Sequence, residues 1–199
     1  FKPIFGCEMY VARRRMFNRD GKADQSGYHL VVLAKNEKGY HNLIKLVSKA
    51  WTEGFYSRPR TDRVELEKYH EGLIVCSACV AGEIPRKIIQ GKFDEAEEAI
   101  QWYKRVFGDD FYLELQRHEV KDPSQRANRE AYDLQKIANA KLIEYSKKFG
   151  VKLVCTNDVH FVDEEHAEAH DRLICLSTGK DLDDPKRMLY SKQEWMKTK

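Results

Sequence analysis

The chain has 199 residues, 42% hydrophobic and 34% charged, which suits a globular domain with a real core and excludes a disordered segment. No apolar run approaches the ~20 residues of a membrane-spanning helix, and no stretch reads as a secretory leader. A net charge of +3 is too small to diagnose nucleic-acid binding, and five cysteines, an odd set, fit a reducing cytoplasmic setting better than a disulfide framework.

The chain starts at Phe1 in what reads as mid-strand, without an initiator methionine, so the natural polypeptide is expected to extend upstream. Pro3 to Ala12 is the first expected strand. Arg13 to Gly27 is polar and carries Asp20-Gly21 and Ser26-Gly27, the marks of a turn or hairpin tip. Tyr28 to Ala34 is the next strand. Asn36 can cap a following helix whose apolar face uses Tyr40, Leu43, Val47, Ala50 and Trp51, with Gly54 closing it. Thr61 to Tyr69 reads as a short helix and Leu73 to Cys76 as an apolar strand. Phe93, Ala96, Ile100, Tyr103 and Phe107 recur at helical spacing, and Gly108 ends that helix. Phe111 to Leu115 is a strand. Asp122-Pro-Ser-Gln125 combines an N-cap, a first-position proline and a glutamine three residues on, so a helix is expected from there. Its buried stripe would be Ala127, Ala131, Leu134, Ala138, Leu142 and Tyr145. Val151 to Cys155 reads as a buried strand, and a helix is expected from about Asp163 to Ser177. This alternation implies a mainly parallel sheet or barrel, with functional residues at the carboxyl ends of strands.

Several residues satisfy that placement. Asp158 and His160 follow the strand at Val151, and residues two apart in extended backbone share a face. A carboxylate and an imidazole there are good metal chemistry, although a turn-forming Asp beside a surface His has the same sequence. Glu8 lies inside a strand expected to be buried, where a carboxylate needs a partner, and a salt bridge would serve as well as a metal. His29 opens the strand to Leu33, as a ligand or a core histidine. Cys79 lies just past Cys76, as a thiolate ligand or a small buried residue. Cys76 and Cys79 have Cys-x-x-Cys spacing, but no second pair completes a structural zinc site. His118 follows the strand ending at Leu115, and Arg117 beside it can meet a phosphate bidentately. Arg13 to Arg15 and Arg58-Pro-Arg60 are small cationic clusters, each able to engage phosphate or to form a solvated loop.

The runs Gly6-Cys-Glu8-Met-Tyr-Val11, His29-Leu-Val-Val-Leu-Ala-Lys-Asn36, Glu53-Gly-Phe-Tyr56, Ser77-Ala-Cys79 through Pro85, Tyr112 through His118 and Thr156-Asn-Asp-Val-His160 resemble the PHP (polymerase and histidinol phosphatase) domain of the bacterial DNA polymerase III alpha subunit. The resemblance implies an α/β fold, a distorted (β/α)₇ barrel with a trinuclear metal cluster, here incomplete because the first βα units and their His-x-His motif are missing. It places a partial PHP domain over residues 1–180 and, over 181–199, an exit segment leading towards the polymerase palm. By motif, Glu8, His29, Cys79, Asp158 and His160 become metal ligands, Asp158 and His160 catalytic residues, and Arg117 and His118 phosphate contacts. The implied cofactors are divalent metals, zinc or manganese, up to three in the full-length protein. The implied activity is metal-dependent 3′→5′ proofreading exonuclease, with DNA synthesis on downstream domains and no activity expected from this stretch alone. The alternatives are a non-catalytic PHP scaffold supporting the polymerase and a separate exonuclease subunit, and a free-standing PHP phosphatase. Implied partners are a DNA primer-template, the remaining alpha-subunit domains and other holoenzyme subunits, with no membrane.

Overall fold

A computed structural model describes residues 2–197; Phe1, where the sequence reads as starting mid-strand, and Thr198 and Lys199, at the end of the expected exit segment, lie outside the described residues. Six strands are formed among the described residues: β1 (Gly6–Val11), β2 (Tyr28–Ala34), β3 (Arg60–Thr61), β4 (Leu73–Cys76), β5 (Phe111–Leu115) and β6 (Lys152–Cys155). They make one sheet in the order β3-β1-β2-β4-β5-β6. Seven α-helices accompany them among the described residues: α1 (Gly21–Asp24), α2 (Glu37–Thr52), α3 (Arg63–Lys68), α4 (Glu83–Ile89), α5 (Phe93–Phe107), α6 (Asp133–Phe149) and α7 (Ala167–Thr178). None of these helices is long and apolar enough to cross a membrane. The arrangement is mixed α/β.

The sheet is less parallel than alternation suggests. β2 runs antiparallel to both β1 and β4, whereas β1–β3 and β4–β5 are parallel. The reason lies in the connection from Ala12 to Gly27, which holds only the one-turn α1 and therefore returns the chain as a hairpin. Along β1 burial alternates: Met9 and Val11 are buried, while Glu8 is exposed. The Glu8 carboxylate is thus not taken into the interior as expected. β6 is also more open than its apolar run suggests, with Lys152, Leu153 and Cys155 exposed. It occupies an edge of the described sheet.

Two helices bury a different stripe from the expected one. In α2, Asn36 caps the Gly39 amide at 2.9 Å, as its position promises. The inward face is Leu43, Leu46 and Ala50, whereas Tyr40 and Trp51 are exposed. Downstream, Asp122 closes a turn on Ser124 instead of starting a helix, and helical backbone begins at residue 126. A π turn, Asn128–Tyr132, then adds a residue before α6. This rotates the stripe, so that Tyr132 and Gln135 are buried in place of Ala131 and Leu134, before Ala138, Leu142 and Tyr145 resume it. α4 was not anticipated. Its Pro85 sits in the first turn, where the missing N–H has no helical partner to lose.

The chain divides into two compact units. One is Phe1–Glu114 with Lys141–Val154; the other is Leu115–Ala140 with Cys155–Lys199. Residues 181–197 belong to the second unit. The first unit has a dense apolar core in which Leu30, Leu46, Val75, Ile100, Tyr103 and Phe111 are almost wholly buried. The rings of Tyr103 and Phe111 stack at 5.2 Å. The interior of the second unit is polar to an unusual degree: Gln116, His118, Gln135, Ser191 and Glu194 are all buried.

Candidate metal centre

Three side chains meet in the first unit. Tyr10 lies opposite His29 and Glu8 opposite Val31 in the β1–β2 register, so Glu8 and His29 stand on the same face of neighbouring strands. The His29 Nδ1 lies 2.7 Å from Glu8 Oε1. Cys79 arrives from the turn after β4, and its Sγ lies 3.6 Å from the same Nδ1.

That turn is tightly built. The Ala78 backbone is left-handed, with φ +62°, and its N–H donates to the buried Glu114 carboxylate at 3.1 Å. The Glu114 N–H in return donates to Ser77 Oγ at 2.8 Å. Gly82 donates to the Cys79 carbonyl at 2.8 Å and bridges to His29. A Cβ at Gly82 would lie 2.1 Å from the Ser77 carbonyl oxygen, so only glycine lets the turn fold back onto β2.

The donor set fits a divalent cation. One carboxylate oxygen, one imidazole nitrogen and one sulfur all lie within 4.8 Å of one another. This is a mixed O, N and S set of the kind that zinc, manganese and iron accept. The electrostatics agree: Cys79 first, and Glu8 second, hold the His29 imidazolium up to about 10. The cluster stabilises positive charge at the position where its donors converge. Cys76, the other half of the Cys-x-x-Cys spacing, is different. Burial, with Glu114 behind it, pushes its thiol up to about 12, and all five cysteines are free.

Asp158 and His160 lie in the second unit, past the end of β6. The backbone there is not extended: Asp158 has φ +46°, and no strand covers residues 156–160. The expectation that alternation sets the two side chains on one face therefore does not apply. Instead the His160 Nδ1–H donates to the Asp158 backbone carbonyl at 2.6 Å, and Nε2 accepts from the Tyr190 hydroxyl at 3.2 Å. His170 packs against both rings, and burial, together with His160, lowers its pKa.

The segment is tied to the residues before the C-terminus. The Asn157 side-chain amide donates to the Gln193 carbonyl at 2.9 Å and the Trp195 carbonyl at 2.6 Å. The His160 amide donates to the Glu194 carbonyl at 2.7 Å. Sequence reasoning missed this strap, because nothing in the 190s has a periodicity that announces it. Arg117 donates to the Tyr132 hydroxyl at 3.3 Å and lies over its ring. His118 is 2% exposed, and both ring nitrogens are engaged. Nδ1 accepts from Gln135 at 2.8 Å and Nε2–H donates to the Asn157 carbonyl at 3.0 Å, which fixes one neutral tautomer.

A sheet that gathers carboxylate, imidazole and thiol at neighbouring strands defines an α/β domain with a candidate metal site, and its family can be stated. Residues 1–118 match the PHP domain model, and the chain belongs to that family. It is 47% identical over 197 residues to the DNA polymerase III subunit alpha of Borreliella burgdorferi, covering 98% of this chain. The corresponding proteins of Treponema pallidum and Thermus aquaticus are 41% and 40% identical over 196 residues, again across 98% of this chain. The chain spans only about 15–16% of the length of these relatives.

Proposed function

We propose that this chain is the PHP domain of a bacterial replicative DNA polymerase alpha subunit, and that its metal centre hydrolyses the 3′-terminal phosphodiester of DNA. We infer further that the sheet is part of the distorted PHP barrel and that residues 181–199 lead towards the polymerase palm. The observation that carries the catalytic reading is the convergence of Glu8, His29 and Cys79, three donors of different type within 4.8 Å.

Glu8, His29 and Cys79 would hold a divalent ion, zinc or manganese by donor chemistry. By the resemblance, Asp158 and His160 are carried as ligands and as catalytic residues too. A bound ion supplies positive charge at the phosphate and makes water a competent nucleophile near neutral pH. The chain's own part is to fix the donors. Hydrogen bonds from the strands and the Ser77–Gly82 turn orient His29 and Cys79, and the exposed Glu8 carboxylate leaves that face open to a substrate. Arg117, over Tyr132, is retained as a phosphate contact; His118, with both nitrogens engaged, is proposed to act by holding Asn157.

The test is elemental analysis of metal per chain, with release of 3′ nucleotides from single-stranded DNA, on the intact polypeptide that carries this domain. His29→Ala and Asp158→Asn are each expected to lose at least one ion per chain and to reduce release about 100-fold or more. A metal-free parent, or release undiminished in His29→Ala, would overturn the catalytic reading and leave the supporting role.

A further inference from the structure

The fold sorts the two arginine clusters into separate jobs. Arg14 is paired with Asp20 and Asp24, and Arg15 with Asp62. Arg60 is fully buried and donates to the carbonyls of Met16, Asn18, Asp24 and Gly54 at 2.7–3.1 Å. It is a strut.

Arg58 is different. It is exposed, it has no carboxylate partner among the described residues, and its guanidinium carbon lies 5.8 Å from the centre of the Tyr10 ring. Tyr10 in turn meets His29 edge-on, with ring centres 5.0 Å apart and planes at 89°. Two ring contacts therefore connect an uncommitted cation to the Glu8–His29–Cys79 cluster. The root of Arg58 is fixed. The Tyr56 amide donates to the Arg58 carbonyl at 3.0 Å, and Ser57 is left-handed at φ +60°. Two residues on, Arg60 pairs with Tyr10 across β1 and β3. A guanidinium resting on an aromatic face loses little freedom on binding, and its fork matches two oxygens of one phosphate.

We propose that Arg58, resting on Tyr10, grips the non-bridging oxygens of the phosphodiester delivered to the Glu8–His29–Cys79 centre; this rests on the phosphodiesterase reading. Arg13 provides an internal control. It too is exposed, lacks a carboxylate partner among the described residues and lies 5.7 Å over a ring, that of Tyr28. Tyr28 and His29 are consecutive strand residues and point to opposite faces.

The experiment compares two 5′-labelled single-stranded oligonucleotides by fluorescence anisotropy. One is all-phosphodiester; the other has a neutral methylphosphonate at the 3′-terminal linkage. The protein is the intact polypeptide carrying Asp158→Asn, to suppress turnover, with zinc present. With Arg58 in place, neutralising the terminal linkage is expected to weaken binding about fivefold. In Arg58→Ala the two oligonucleotides should bind within about 1.5-fold of each other, both weakly, and Arg58→Lys should recover only part of the difference. Arg13→Ala should bind as its parent does. Equal loss on both oligonucleotides in Arg58→Ala, an equal loss in Arg13→Ala, or no binding by the parent would overturn the proposal.

Release of 3′ nucleotides by the protein with Asp158 restored is scored separately. No release with an intact Arg58 linkage effect sinks the phosphodiesterase reading and keeps the grip. Release without that effect sinks the grip alone.

Discussion

The two units hold their candidate ligands by opposite means. In the first, Glu8 and His29 ride on paired strands whose other face is apolar and buried, so the register that aligns them is the register that buries Met9, Val11, Leu30 and Val32. In the second, Asp158 and His160 sit on irregular backbone fixed by hydrogen bonds from Asn157 and His160 to residues 193–195. Apolar register tolerates the loss of any one contact. A polar strap does not, because a few part-buried hydrogen bonds carry all of its positioning.

The sharpest blow to the first region is Arg60→Met. It strips a donor from four carbonyls in the loops beside β1 and β3, and stability should fall by about 3 kcal/mol or more. The denaturant midpoint reads this directly, and a loss under about 1 kcal/mol would mean that water satisfies those carbonyls. Asn157→Ala should cost less, about 1–2 kcal/mol, and should act locally. Amide exchange should speed up over residues 156–162 and stay unchanged in β1 and β2. Equal acceleration in both places would erase the distinction between the units.

The smallest effect is a pH slope in the metal-free chain. His29 is held at about 10 by Cys79 and Glu8, against an ordinary value of 6.5. Stability from this interaction is whole below about pH 6.5 and is lost as pH rises through about 10. Thermal melting temperature should therefore fall across that window, and His29→Gln should flatten the slope. An unchanged slope in the variant would assign the titration elsewhere.

Much of the first unit was legible in the sequence. β2 and β4 fall where their apolar runs, bounded by Gly27 and Gly72, place them, and α5 ends at Gly108 as its spacing requires. The candidates Glu8, His29 and Cys79 were legible as residue types near strand ends, and the family model confirms the resemblance carried by their motifs. The second unit was harder to read. A single π turn, invisible to a 3.6-residue period, moved Gln135 inward and so decided how His118 is held. The left-handed Asp158 likewise defeats any argument from alternation.

The sequence by itself determined five of the six described strands, most of the helices and the family, because breakers and apolar period act over a few residues and survive without tertiary context. It reads Thr61 as helix, where Arg60–Thr61 instead pairs with β1. Only the tertiary structure decided that β2 runs antiparallel to both neighbours, that Arg60 is a buried strut while Arg58 stays exposed, and that Glu8, His29 and Cys79 converge. These outcomes depend on pairings between residues tens of positions apart. Such pairings are chosen by the total burial and hydrogen bonding of the fold, and no local window of sequence contains that sum.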